Sequence, residues 1–309
     1  MLESGTLVMA RNAAEAAVLE RLRRMGLECG VEGLEMLTRD EFLKKEPLAT
    51  PAVSALFSPT GASVDAHALV EALTQDARSL GVEFRFVEKF ERIEGGEVVT
   101  TSGRFRAEHL VNCAGLYADR VAHAMGVRRD LCIIPFRGEY MEVRDCAVSG
   151  MIYQPPDLRF PFLSVHLTRE ADGRVLAGPT AVLSLGREAY DKQICWPEAL
   201  GMFVSPQFAG LAVNPAFLRL AWQNAKTCLS RRAFLEQIRS IVPSIRADQI
   251  IPFRAGIRAQ MVDRTGRLVD DMVVEYGKDS THVLNVVSPG MTCSLAFAEH
   301  IVDGIEARV

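Results

Sequence analysis

Apolar positions change their spacing several times along the chain, and each change marks a different kind of element. Gly5 to Ala10 is a short apolar run that reads as a strand. Asn12 follows as an N-cap. Ala17, Leu19, Leu22 and Met25 then take helical spacing from Ala13 to about Met25, with Arg21, Arg23 and Arg24 near the C-terminal end. Thr38-Arg-Asp-Glu41 has the form of a capping box and opens a short helix that Pro47 stops. Ala55 to Gly61 reads as a strand and a turn. Asp65 caps a helix from Ala66 to Ser79, which Gly81 ends. Val82 to Ile93 reads as one or two strands, Glu94-Gly-Gly96 as a hairpin turn, and Val98 to Arg106 as an edge hairpin.

Leu110 to Cys113 is long enough for one buried strand, and it ends in the small pair Ala114-Gly115. Leu116 to Met125 then has helical spacing, with Leu116, Val121, Ala122 and Met125 on one face. Strand, small-residue turn and helix are the parts of a mononucleotide crevice, where a ligand approaches the backbone and the helix N-terminus faces an anion. An ordinary strand–helix joint of any α/β protein satisfies the same pattern.

From Leu131 the texture turns to β. Cys132 to Phe136, Glu139 to Val143, Phe162 to Thr168 and Arg174 to Gly178 are candidate strands, with a turn at Ala171-Asp-Gly173. Pro197 to Arg246 reads as helical, punctuated by Pro206, Pro215 and Pro243. Arg254 to Gln260 returns to strand, and Leu268 to Glu275 pairs with His282 to Val287. Ser288-Pro-Gly290 is a turn before a closing helix from Met291 to Ile305. The fold class is therefore α/β (α+β): a β-rich middle lies between two α/β portions with a mixed sheet flanked by helices.

Composition narrows the function classes. The 309 residues leave room for one large or two ordinary domains, and 49% apolar with 24% charged residues is normal for a globular core. A net charge of −4 excludes a basic nucleic-acid surface. The seven cysteines are scattered, with neither C-x-x-C nor a zinc spacing, which points to reduced thiols in the cytoplasm and no metal. No apolar run is long enough to span a membrane, and the start lacks the regions of a signal peptide. Gly-x-Gly-x-x-Gly, the P-loop, Gly-x-Ser-x-Gly and His-Glu-x-x-His are all absent, so nucleophilic hydrolases and metalloproteases have no anchor.

Four further stretches carry candidate chemistry. Val283 to Ala296 repeats the strand, turn and helix, with Ser288, Thr292 and Ser294 as hydroxyls that bind a phosphate or a ring edge, or simply cap the helix. Arg254 and Arg258 point to one side of a strand, where an arginine clamps a carboxylate or forms an ordinary surface ion pair. In Pro135 to Tyr140, Arg137 and Tyr140 are expected to line a polar pocket, with Glu139 on the face opposite Tyr140. In Phe160 to Thr168, Phe162, Ser164, His166 and Thr168 share a face, and His166 is either a general base or a structural hydrogen-bonder.

These residues resemble the D-amino-acid-oxidase-like FAD-dependent oxidoreductases, and within them the L-2-hydroxyglutarate oxidase/dehydrogenase branch. The resemblance rests on Val111 to Gly115, Ile134 to Tyr140, Arg159 to Arg169, Ala177 to Pro179, Arg187 to Tyr190, Arg254 to Gln260 and Ser288 to Thr292, and runs over nearly the whole chain. It implies a two-domain flavoprotein. The FAD-binding domain would come from 49–127 and 251–309, and the substrate domain from 1–48 and 128–250. Cys113, Ala114 and Gly115 would lie against the FAD, and Phe90 by the adenine. Ser288, Pro289, Gly290, Met291 and Thr292 would lie by the isoalloxazine. Arg258 matches the arginine that holds the substrate carboxylate. Implied is oxidation of a small 2-hydroxy-dicarboxylate, L-2-hydroxyglutarate, to the 2-oxo acid. His166 would be the base, Arg258 the α-carboxylate clamp, Arg137 or Arg254 the distal clamp, and Tyr140 the orienting group.

The departures are specific. The family opens with a Gly-x-Gly-x-x-Gly unit that this chain does not contain, so the chain is expected to be an N-terminally truncated member that holds FAD weakly or not at all. Gln154, Ser164 and Thr180 stand where the branch usually shows Pro, Gly and Asn. Oxidation of a small amino acid and a non-catalytic remnant are the competing readings. The expected electron acceptor is oxygen or a quinone. Membrane-surface contact, at the inner membrane, belongs to the family's wider circle, but no basic amphipathic helix argues for it here.

Overall fold

The computed structural model describes residues 1–156, 165–286 and 290–308; Phe162, Ser164, Ser288 and Pro289 lie outside the described residues. The chain opens with β1 (Leu2–Glu3), β2 (Thr6–Ala10) and α1 (Ala13–Glu28), where the Asn12 side chain accepts the Glu15 N–H at 2.9 Å. β3 (Glu35–Thr38) runs into α2 (Arg39–Lys45) through the expected capping box, in which Glu41 Oε2 accepts the Thr38 N–H at 2.8 Å. β4 (Ser54–Ser58) and β5 (Ala62–Ser63) lead to α3 (Ala66–Ser79), capped by Asp65. β6 (Phe90–Glu94), β7 (Glu97–Thr100) and β8 (Arg104–Phe105) form hairpins. The stretch from Val82 to Lys89 carries no strand, because Val87 takes a φ of 59° that interrupts any extended run.

β9 (Leu110–Asn112) is followed by a 3₁₀ turn over Gly115–Tyr117 and by α4 (Ala118–Ala124). Where two strands are expected on either side of Gly138, a single strand, β10, runs from Leu131 to Val143. β11 (Met151–Tyr153), β12 (His166–Arg169), β13 (Val175–Gly178) and β14 (Val182–Leu183) follow. The helical stretch divides into α5 (Trp196–Phe203), α6 (Pro206–Ala212), α7 (Pro215–Leu229) and α8 (Arg231–Arg239). Pro206 and Pro215 each open a helix at its first position, where the missing N–H costs nothing. β15 (Ile250–Asp263), β16 (Val273–Tyr276), β17 (Ser280–Asn285) and α9 (Ser294–Glu306) close the chain. α9 begins three residues later than expected, with Cys293 at its N-cap.

Among the described residues the main sheet has nine strands in the order β14-β10-β13-β12-β11-β2-β4-β3, with β15 along the other side of β10. β10 and β15 pair antiparallel from Leu131↔Asp263 to Val143↔Ile250, with a bulge between Tyr140 and Met141. A smaller sheet, β16-β17-β9, carries the small-residue turn, and β9 runs parallel to β17. The largest core packs α8, through Phe234, Leu235 and Ile238, under Leu167, Ala177 and Ile152 of the main sheet. Burying one such side chain contributes about 1.5–3 kcal/mol. A separate core joins Ala118 and Ala122 of α4 to Ile133 and Met261, so the turn is seated against the start of β10. No helix among the described residues is long and apolar enough to cross a membrane.

Candidate functional site

Two pieces of local geometry meet at the long β10–β15 pair. The first is the turn that leaves β9. Asn112 is buried, and its side chain shapes the turn from within: Nδ2 donates to the Ala118 carbonyl at 2.8 Å and Oδ1 accepts the Ala114 N–H at 3.1 Å. These two bonds settle which end of the amide is which. Nδ2 also faces His282 Nδ1 at 3.1 Å, so that ring nitrogen accepts, and the other donates to Ser280 Oγ at 3.0 Å. Burial pulls the His282 pKa down, with Glu275 acting against that and His109 with it. Gly115 sits at φ 53°, a conformation that favours glycine, and a side chain there would meet no atom within 4 Å. The outer side of the turn is therefore open, and Cys113 and Val111 are exposed beside it.

The second piece is one face of the main sheet. Tyr140, Gly178, His166 and Tyr153 follow one another across β10, β13, β12 and β11. His166 is the register partner of Gly178, and a Cβ on Gly178 would stand 2.9 Å from Tyr140 Cδ1. Tyr153 stacks on His166 with ring centroids 4.2 Å apart. Across the β10–β15 pair, Tyr140 is the partner of Arg254, Gly138 of Gly256 and Phe136 of Arg258, so both arginines belong to the Tyr140 face. Gly256 lies between them, and a side chain there would meet nothing within 4 Å. Burial pushes the Tyr140 phenol up, opposed by the charges of Arg258 and Arg254. Burial pulls the Arg258 guanidinium down, with Tyr140 acting against it. Arg254 is half exposed, 3.5 Å from Glu170, with its guanidinium 5.9 Å from the Tyr140 ring.

Arg137 is elsewhere. It pairs with Glu139 two residues on, and its Nε and Nη2 donate to the Tyr190 carbonyl at 3.0 and 2.6 Å. The period of two along a strand puts it on the Glu139 side, so it does not share a pocket with Tyr140 as expected. Burial pushes the Glu139 carboxyl up, but Lys192, at 2.8 Å, and Arg137 outweigh it and hold the group below the usual range. Phe90 opens β6 opposite Thr100, half-buried. Gly290, Met291 and Thr292 lie in the turn before α9, with Met291 exposed.

Three contributions were not legible beforehand. Tyr153 is brought to His166 by strand pairing alone. Asn112 and His282 meet through the parallel β9–β17 pair. Arg187, read only as part of a longer motif, is buried, and its guanidinium pairs with the Asp119 carboxylate through Nη1 to Oδ1 at 2.6 Å and Nη2 to Oδ2 at 2.8 Å. A buried arginine is rare enough that its motif carried the only signal.

Residues 1–304 match the family described as "FAD dependent oxidoreductase" (DAO). The chain is 34% identical to L-2-hydroxyglutarate dehydrogenase of Indibacter alkaliphilus over 302 residues, covering 95% of this chain and 75% of that protein. It is 32% identical to the mitochondrial L-2-hydroxyglutarate dehydrogenase of Homo sapiens over 337 residues, covering 99% and 71%. Among solved structures, L-alpha-glycerophosphate oxidase from Mycoplasma pneumoniae with FAD bound superposes with a TM-score of 0.74 at 20% identity, covering 99% of this chain and 73% of that one. Glycine oxidase from Geobacillus kaustophilus gives 0.70 at 19% identity, covering 100% and 72%.

Proposed function

The chain belongs to the FAD dependent oxidoreductase family, and from that premise we propose that it oxidises L-2-hydroxyglutarate to 2-oxoglutarate. The observation that carries this reading is the open floor at Gly256, flanked on one face by Arg254 and Arg258 and bordered by Tyr140 and His166. A dicarboxylate needs two cations, and a 2-hydroxy acid needs a base at its hydroxyl; that face offers both.

FAD, when bound, supplies the acceptor for the hydride that leaves the α-carbon. The residues present fit part of that group. Cys113, Ala114 and Gly115 give it an uncrowded backbone wall, and the β-rich main sheet supplies the opposite, substrate-binding layer. On this reading the cofactor layer is drawn from 49–127 and 251–309, with Phe90 and the turn at Gly290, Met291 and Thr292 beside it.

Arg258 clamps the α-carboxylate and Arg254 the distal one. Arg254 is preferred to Arg137 because Arg254 shares the Tyr140 face, whereas Arg137 lies with Glu139 on the other side of the strand. Tyr140 orients the substrate between them. His166 takes the hydroxyl proton, and Tyr153 fixes the plane of its ring by stacking. Oxygen or a quinone takes the electrons onward. The proposed location is the cytoplasm, with peripheral contact at the inner membrane. Supporting that contact, Trp196, Leu200 and Phe203 of α5 are exposed at helical spacing, and Val204, which caps its C-terminal end, is exposed beside them.

The test is a substrate screen of the protein in excess FAD with a dye acceptor, comparing L-2-hydroxyglutarate, its D-enantiomer, L-lactate and glycine. Turnover of L-2-hydroxyglutarate above the others supports the proposal. Preference for glycine would transfer it to amine oxidation, and no turnover of any would leave a non-catalytic member of the family.

A further inference from the structure

We propose that Arg187 is a positioning residue that locks the turn facing FAD to the substrate-binding sheet, an inference that rests on the cofactor reading above. The residue sits in the segment between β14 and α5, and its side chain is almost wholly buried. Its planar fork takes both Asp119 oxygens, and Nη1 also donates to the Leu116 carbonyl. Asp119 Oδ2 in turn accepts the Ile133 N–H of β10 at 2.9 Å, and the Arg187 N–H donates to Glu198 Oε2 at 2.8 Å. One guanidinium therefore fixes the backbone of the turn at Leu116, the first turn of α4 at Asp119 and, through Asp119, the start of β10.

Neighbours on the same segment repeat the connection. Tyr117 of the turn donates its hydroxyl to Glu188 at 2.7 Å, and the Tyr190 carbonyl accepts Arg137 of β10. Arg187 through Tyr190 thus hold the turn with one hand and the substrate strand with the other. A buried ion pair adds little net stability over well-packed apolar residues, whereas a bidentate fork satisfies only one relative orientation of its partners. What the pair supplies is geometry: the distance between the open turn at Gly115 and the His166 face. Lysine would keep the charge but not the fork or the bond to Leu116.

Two variants test this in the full chain. Arg187→Lys removes the fork, and Asp119→Asn/Arg187→Gln removes both charges so that neither is left buried alone. FAD is titrated by quenching of its fluorescence, the visible circular dichroism of the bound flavin is recorded, and hydrogen exchange over 113–119 is followed without FAD. We expect FAD affinity to fall at least tenfold, the visible dichroism to change, and turn exchange to quicken at least tenfold, while exchange in β12 and β13 stays as in the parent. Parental FAD affinity and dichroism in the double variant, or unchanged turn exchange, would overturn the proposal. If the parent takes up no FAD, the cofactor reading falls, and the exchange measurement alone decides the role of Arg187. If the double variant does not fold, Arg187→Lys carries the same comparison.

Discussion

Tyr153 lies on His166 with ring planes 26° apart and centroids 4.2 Å apart, although the two residues come from different strands. The stack leaves the histidine ring little freedom to turn away from the Tyr140 side of the sheet. His166→Ala is expected to lower kcat by about 10²–10⁴-fold, the usual contribution of a positioned acid–base group, with a smaller change in KM. Tyr153→Ala should lower kcat less and leave the pH profile in place; Tyr153→Phe should be near neutral. Steady-state kinetics across pH separate these outcomes, and a parental rate in His166→Ala would remove it as the base.

Arg258 and Arg254 are assigned different carboxylates, and the difference is measurable. Arg254→Met should raise KM for L-2-hydroxyglutarate by about 10–150-fold, corresponding to the 1.5–3 kcal/mol of a hydrogen bond to a charged group. It should leave KM for L-lactate, which lacks the distal carboxylate, almost unchanged. Arg258→Met should raise both. Equal effects of Arg254→Met on the two substrates would show that it does not read the distal group.

Gly256 has open space where a side chain would stand, and its φ is not in the left-handed region. Gly256→Val should therefore fold well, and valine in a strand stabilises by up to about 1 kcal/mol relative to glycine. The same methyl groups would fill the floor between the arginines and raise KM at least tenfold. A thermal melt with parental or higher midpoint, together with a parental KM, would place the substrate elsewhere.

His282 links the turn to pH. Its pKa is lowered by burial, so the unfolded chain binds the proton more readily than the folded one. The associated stability is fully present above the unfolded pKa of about 6.5 and is lost as pH falls through the folded value. Protonation also puts an N–H where Nδ1 now accepts from Asn112. The urea midpoint is expected to fall between pH 7.5 and pH 5.5 more steeply in the parent than in His282→Gln. Equal slopes would mean that His282 does not carry this dependence.

What the sequence made legible was local or periodic. The capping box at Thr38 and Glu41 has both partners within four residues, and it formed. Tyr140, Arg254 and Arg258 could be assigned to faces because a strand alternates strictly, although the same rule, applied to Arg137, separates it from Tyr140. Of the one or two strands expected over Val82–Ile93, β6 formed from Phe90, but none lies over Val82–Lys89, where the left-handed Val87 was invisible in the apolar pattern. Contacts that depend on strand order were out of reach: Tyr153 with His166, and Asn112 with His282 at a separation of 170 residues. The family resemblance reached further than the periodicity did, since the match to the FAD dependent oxidoreductases spans residues 1–304.

The central claim is hydride removal from L-2-hydroxyglutarate, and anaerobic reduction of the FAD-loaded chain tests it without any assumption about the electron acceptor. Adding the L-enantiomer should bleach the long-wavelength flavin absorbance and release 2-oxoglutarate in equal amount to the flavin reduced, while the D-enantiomer leaves the spectrum unchanged. A bound flavin that stays oxidised in saturating L-2-hydroxyglutarate, yet bleaches with dithionite, would contradict the account.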